Sequence, residues 1–123
     1  MGATAGTTGY SKAFAGSTGS NAIGDYAWYS TSSSNKTHPA GTKLPNELWL
    51  YDMSGSIWEW NWDWSGMYPN GMMTDYRGAA SSTVRVRRGG SWSYDAFRAT
   101  VAYRFDYFPN YQYSDVGFRI VRP

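Results

Sequence analysis

Carboxylates, rather than thiols or imidazoles, are the side chains best placed for chemistry in this chain. Glu59 and Asp63 lie four residues apart in Ile57-Trp58-Glu59-Trp60-Asn61-Trp62-Asp63-Trp64, and paired carboxylates are the usual apparatus of acid–base hydrolysis. On an extended strand, however, both share one face, where they ligate metal or meet water. A nucleophilic serine needs a base beside it. The single histidine, His38, has no evident link to Ser91, and no G-x-S-x-G occurs. With no cysteine, disulfides, thiol catalysis, cysteine-containing zinc sites and iron–sulfur clusters are excluded. Gly2, Gly6 and Gly9 lack the preceding strand and following helix that a phosphate loop requires.

The elements that would position these groups are strands. No stretch of helical length keeps a clean apolar period, whereas short alternations recur. The run 57–64 would put four tryptophans on one face and Glu59, Asn61 and Asp63 on the other, giving a sheet face buried in indole. Thr83 to Arg88 alternates Val84 and Val86 with Arg85 and Arg87, and Gly89-Gly90 ends it. Residues 100–107 would pair with that strand, since Val101, Tyr103, Phe105 and Tyr107 share one parity, and Val116 to Val121 would close the sheet. Residues 1–20 read as flexible coil or an irregular edge, and 30–46 as a turn-rich connector with Thr31 to Ser34 exposed. The length of 123 residues suits a single domain, 1–123.

Aromatic content is the outlying feature, with seven Trp, eleven Tyr and five Phe. Between 92 and 115, Trp92, Tyr94, Phe97, Tyr103, Phe105, Tyr107, Phe108, Tyr111 and Tyr113 alternate with Ser, Asp, Asn and Arg. One small core does not need so many rings on both parities. Tyr mixed with short polar residues is the vocabulary of antibody paratopes, because the ring gives rigid amphipathic area at low entropic cost. The expected partner is therefore a protein or other macromolecular ligand. All eight arginines follow residue 76, yet the net charge is only +2, and Asp95, Asp106 and Asp115 lie among the rings. Specific nucleic-acid binding is not expected. No apolar run is long enough to span a bilayer, and the N-terminal residues lack the blocks of a signal peptide.

Four ordered blocks carry a family resemblance: Pro45-Asn46-Glu47-Leu48, Leu50 to Trp60, Arg88-Gly89-Gly90-Ser91-Trp92 and Gly117-Phe118-Arg119. Together they resemble formylglycine-generating-enzyme-type, or sulfatase-modifying factor, domains. The resemblance implies an α+β, C-type-lectin-like fold of mostly antiparallel strands and irregular loops with little helix, here minimal or N-terminally shortened. Oxidase members of the family bind copper through two cysteines. In this chain those positions fall on Tyr94 and Ala99, and a phenol and a methyl group cannot hold a soft metal. The related iron-dependent sulfoxide synthases need more histidines than His38. No enzymatic activity and no catalytic cofactor are therefore expected. The segment Asp52 to Glu59 resembles the family's calcium loop, which implies carboxylates from Asp52 and Glu59 and backbone carbonyls from Gly55 and Ile57 around a structural calcium.

Residues 92–115 are also similar to the variable region of diversity-generating retroelement proteins, a branch of the same fold. There, mutagenised Asn-type codons cannot yield Lys, Glu, Gln, Met or Trp. Only Gln112 belongs to that set between 93 and 115, where about three would be expected by chance; the depletion agrees with a rewritten segment. The resemblance implies that Ser93, Tyr94, Asp95, Phe97, Ala99, Tyr103, Phe105, Asp106, Tyr107, Asn110, Tyr111, Tyr113, Ser114 and Asp115 are exposed ligand-binding positions. Gly89, Gly90, Ser91, Gly117, Phe118 and Arg119 would be scaffold. The alternatives are a carbohydrate-binding lectin-like module, whose Glu-Pro-Asn and Trp-Asn-Asp motifs are missing, and a degenerate homologue of the enzyme.

Overall fold

The computed structural model describes residues 12–18 and 23–122. A short helix, α1 (Ile23–Tyr26), precedes the strands β1 (Trp58–Trp64) and β2 (Arg85–Arg88). A turn of 3-10 helix at Ala96–Ala99 leads to β3 (Phe105–Tyr107) and β4 (Val116–Gly117). The four strands form one mixed sheet in the order β3-β2-β1-β4. β2 is antiparallel to both β1 and β3, and β4 lies parallel to β1. Long loops make up most of the rest. The fold is the strand-and-loop, helix-poor architecture that the family resemblance implies.

Alternation explains β1 and β2 but does not decide which indoles are buried. Trp60 pairs with Arg87 and Trp64 with Arg85, so four steps along β1 match two along β2. The surplus forms a bulge, which bends a strand and re-aims its side chains. Trp58 is fully buried, whereas Trp62, in the bulge, is 85% exposed. The expected face of four buried indoles is thus replaced by one buried indole, two half-buried ones and one standing in solvent. β3 is also shorter than expected: Asp95 caps the 3-10 turn by accepting from the Arg98 backbone N–H at 3.2 Å, and a second turn, closed by Tyr103 N–H donating to the Thr100 carbonyl at 3.1 Å, follows it before the sheet is joined at Phe105.

Beside the sheet, Phe14, Ile23, Ala27 and Ala99 form a buried cluster, with Tyr29 and Ala96 packed against it. Residues 12–18, expected to be flexible or edge-like, supply its Phe14, and Val101 N–H donates to the Ala13 carbonyl at 2.9 Å. The rest of the 1–20 expectation lies outside the described residues. Ser33, expected in an exposed loop, is completely buried because its hydroxyl donates to the Trp92 carbonyl at 2.7 Å. Gly90 shows why a glycine closes β2: its φ is +72°, and an added Cβ would sit 2.9 Å from Ala99 Cα.

Candidate ligand-binding surface

The segment 93–115 is tied at its base. Ser91 and Ser93 hydroxyls both donate to Asp115 Oδ2, at 2.8 and 3.2 Å, and Trp58 N–H donates to the Asp115 carbonyl at 2.8 Å. Asp115 is therefore a tie between the ends of the segment as well as a half-buried surface residue. Within the segment, Ser93, Asp95, Phe97, Phe105, Asp106, Asn110, Tyr111, Tyr113 and Ser114 are exposed, and Tyr94, Tyr103 and Tyr107 are half-buried.

Ala99 is the correction. It is 1% exposed and belongs to the core cluster, because the 3-10 turn points it at Ile23 and Ala27 while its neighbour Phe97 remains in solvent. A ligand does not reach Ala99.

The rings fall into two connected sets. Tyr94, Tyr103 and Phe105 surround Trp58 at centroid distances of 5.6, 6.0 and 5.8 Å, and Phe97 packs edge-on against Tyr103 at 5.3 Å. This set rests on the core. The other stands off it: Tyr107 meets Phe108, Tyr111 and Tyr113 at 5.8, 5.5 and 5.6 Å, all near perpendicular. Such edge-to-face contacts keep rings ordered without burying them. Tyr113 donates its phenolic hydrogen to the Tyr107 hydroxyl at 3.1 Å, and that bond, above all, lifts the Tyr113 pKa from its usual 10.0.

Between the two sets lies Arg87. Its guanidinium carbon is 5.2 Å from the Trp58 centroid, 4.9 Å from Phe105 and 5.2 Å from Tyr107. Sequence reasoning placed Phe108, Trp62, Arg85 and Arg87 outside the candidate list. The available signal was parity, since Arg85 and Arg87 pair across the sheet with Tyr107 and Phe105.

The calcium residues form a separate group. Asp52 adopts a left-handed φ of 56°. Its Oδ2 accepts from Gly41 N–H at 2.7 Å, and its Oδ1 is buried with no partner. Arg119 Nε donates to both Glu59 oxygens at 3.1 Å, while Nη2 donates to Glu59 at 2.8 Å and to the Tyr51 and Asp52 carbonyls. Glu59 thereby holds Arg119 firmly charged. A cavity of about 460 Å³ opens among Tyr51, Asp52, Ser56, Ile57, Glu59 and Phe118. Two carboxylates against one guanidinium leave a net negative charge, and Asp52 Oδ1 is the orphaned donor a hard cation would use. Among the described residues, no group of three or more His, Asp or Glu gathers to hold a metal, so carbonyls and water would have to complete any shell. Of the two positions that the resemblance aligns with copper-binding cysteines, Tyr94 lies edge-on against Trp58 and Ala99 is buried.

A short, twisted mixed sheet wrapped in loops, with a ring-rich segment emerging beside β3, defines a C-type-lectin-like scaffold. The chain belongs to the family of sulfatase-modifying factor enzyme 1-like domains, whose pattern matches residues 2–123. Its structure is similar to Treponema denticola variable protein 1, with a TM-score of 0.83 and 38% identity over 87% of this chain and 39% of that one. In sequence it is 33% identical over 100 residues to the chaperone protein LppX of Paenibacillus barcinonensis, covering 80% of this chain and 32% of that protein. It is also 33% identical over 91 residues to the formylglycine-generating enzyme of Thermomonospora curvata, covering 68% and 30%. The chain thus spans about a third of the length of these curated relatives.

Proposed function

We propose that this chain is a non-catalytic ligand-binding module that presents the rings and short polar residues of 93–115 to a macromolecular partner. The observation that carries the reading is the Tyr107–Phe108–Tyr111–Tyr113 cluster, ordered by mutual ring contacts yet standing outside the core. Similarity to a variable protein supports it, as does the lack of any cysteine with which to bind copper. Surface-displayed libraries randomised at Tyr107, Asn110, Tyr111 and Tyr113, sorted against several unrelated folded proteins, test it directly. Binders to more than one target, with folding retained, are expected; loss of folding across the library would mean that these rings are structural. An aldehyde probe applied after incubation with copper and a cysteine-bearing sulfatase peptide should stay blank.

The same proposal includes a structural calcium at Asp52, with Glu59 and the Gly55 and Ile57 carbonyls. Calcium at one hundred times its dissociation constant would stabilise the fold by about 2.7 kcal/mol. Chelator should lower the melting temperature and Asp52→Ala should abolish that dependence; a melting curve indifferent to both removes calcium from the reading.

A further inference from the structure

Two rows of side chains cross the sheet beside the tyrosine cluster. Strand register places Trp60, Arg87 and Phe105 in one row and Trp64, Arg85 and Tyr107 in the next. Each arginine therefore lies between aromatic neighbours on both adjoining strands. The Arg85 guanidinium carbon is 4.0 Å from the Trp64 centroid and 4.8 Å from that of Trp62. One Arg85 N–H donates to the Trp62 carbonyl; its other N–H groups have no acceptor among the described residues. Arg87 is 4% exposed, and its Nε is buried without a partner.

Among the described residues, neither arginine has a counter-charge within ion-pair distance. The ion pairs among the described residues join Lys12 to Glu47, Arg98 to Asp95 and Arg119 to Glu59. A desolvated cation without an anion is unfavourable, and ring faces offset only part of that penalty. Stacking on rings also fixes the orientation of the planar guanidinium, so that its free N–H edge is preorganised for the two oxygens of a carboxylate. Next to Arg85, the Trp62 indole is 85% exposed, an apolar surface left largely open to solvent.

We infer that this Arg–aromatic ladder receives an acidic segment of a partner protein, with Arg85 as the carboxylate contact, Trp62 as the apolar flank and Arg87 strengthening the positive field from below. The inference rests on the reading that 93–115 faces a partner, because Tyr107 is at once Arg85's cross-strand neighbour and the hub of the tyrosine cluster. One free guanidinium edge beside one exposed indole matches a side-chain carboxylate with an apolar neighbour, whereas a phosphate backbone calls for a track of several exposed cations.

The test is panning a random dodecapeptide phage library on the intact chain and on Arg85→Gln, which keeps a planar polar head on the stem, with folding of both checked by circular dichroism. Peptides enriched on the unsubstituted chain should carry Asp and Glu several-fold above the naive library, and Arg85→Gln should remove that surplus while still enriching other peptides. A surplus that persists on Arg85→Gln, or enrichment without acidic bias, overturns the carboxylate site and leaves the ligand-binding reading standing. No enrichment on the unsubstituted chain overturns both. A single-stranded oligothymidine that displaces the acidic peptides at physiological salt would overturn the protein assignment in favour of nucleic acid.

Discussion

The two ends of β1 carry the same residue alternation and meet opposite environments. Trp58 is sealed among Tyr94, Tyr103 and Phe105, whereas Trp62, one bulge further on, shares only the Arg85 guanidinium and otherwise faces water. The same division separates the rings around Trp58 from those around Tyr107. Identical residue types thus serve as core and as surface within one sheet. What decides between them is backbone placement: Trp58 lies where β1 pairs with β4 and is enclosed by neighbouring rings, whereas Trp62 lies in the bulge, and within the 3-10 turn Ala99 faces the core while Phe97 stands in solvent.

The sharpest way to break this comparison is Trp58→Ala, which should destabilise the chain by about 3–5 kcal/mol in chemical denaturation; a small loss would mean that the rings around it do not form a core. Asp115→Ala comes next, since it removes a charged acceptor from the buried Ser91 hydroxyl. About 1.5–3 kcal/mol should be lost, read as a lowered urea midpoint. Ala99→Leu should lose about 1–3 kcal/mol by overpacking the Phe14–Ile23–Ala27 cluster; if it is neutral, Ala99 returns to the surface set. Tyr111→Ser, by contrast, should shift stability by no more than about 0.5 kcal/mol in the same assay.

The smallest expected effect is alkaline. The raised Tyr113 pKa means that the folded chain binds that proton more tightly than the unfolded chain does, so its contribution is present below the ordinary tyrosine value of 10.0 and is lost as pH rises above it. In a tyrosinate absorbance titration Tyr113 should ionise late, and that delay should vanish in Tyr107→Phe, because the hydrogen bond from Tyr113 is then gone.

β1 and β2 were legible because alternation and Gly89-Gly90 are local signals. The four family blocks made the fold class legible as well, as the match over 2–123 bears out. Three features were not readable. The bulge that exposes Trp62 is a matter of pairing between distant residues, and nothing inside 57–64 encodes it. The parity set at 101–107 suggested a longer strand, but a turn closed by Tyr103 N–H on the Thr100 carbonyl, following the Asp95-capped 3-10 turn, keeps Val101 and Tyr103 out of the sheet. Alanine is small enough for either environment, so Ala99 carried no sign of its burial. Alternation set Arg85 and Arg87 opposite Val84 and Val86, but it does not show how closely a guanidinium lies against a ring.

The hydrogen bonds from Ser91 and Ser93 to Asp115 carry a further consequence. With Ala99 in the core and β3 in the sheet, they leave the stretch 108–114 as a loop fixed at its two ends, so the scaffold sets where that loop begins and ends but not how far it travels. Doubling the length of such a closed loop adds only about 0.6 kcal/mol of entropic penalty. Insertions next to Asn110 should therefore be tolerated as readily as substitutions, and the surface can change in reach as well as in composition while its foundation stays the same.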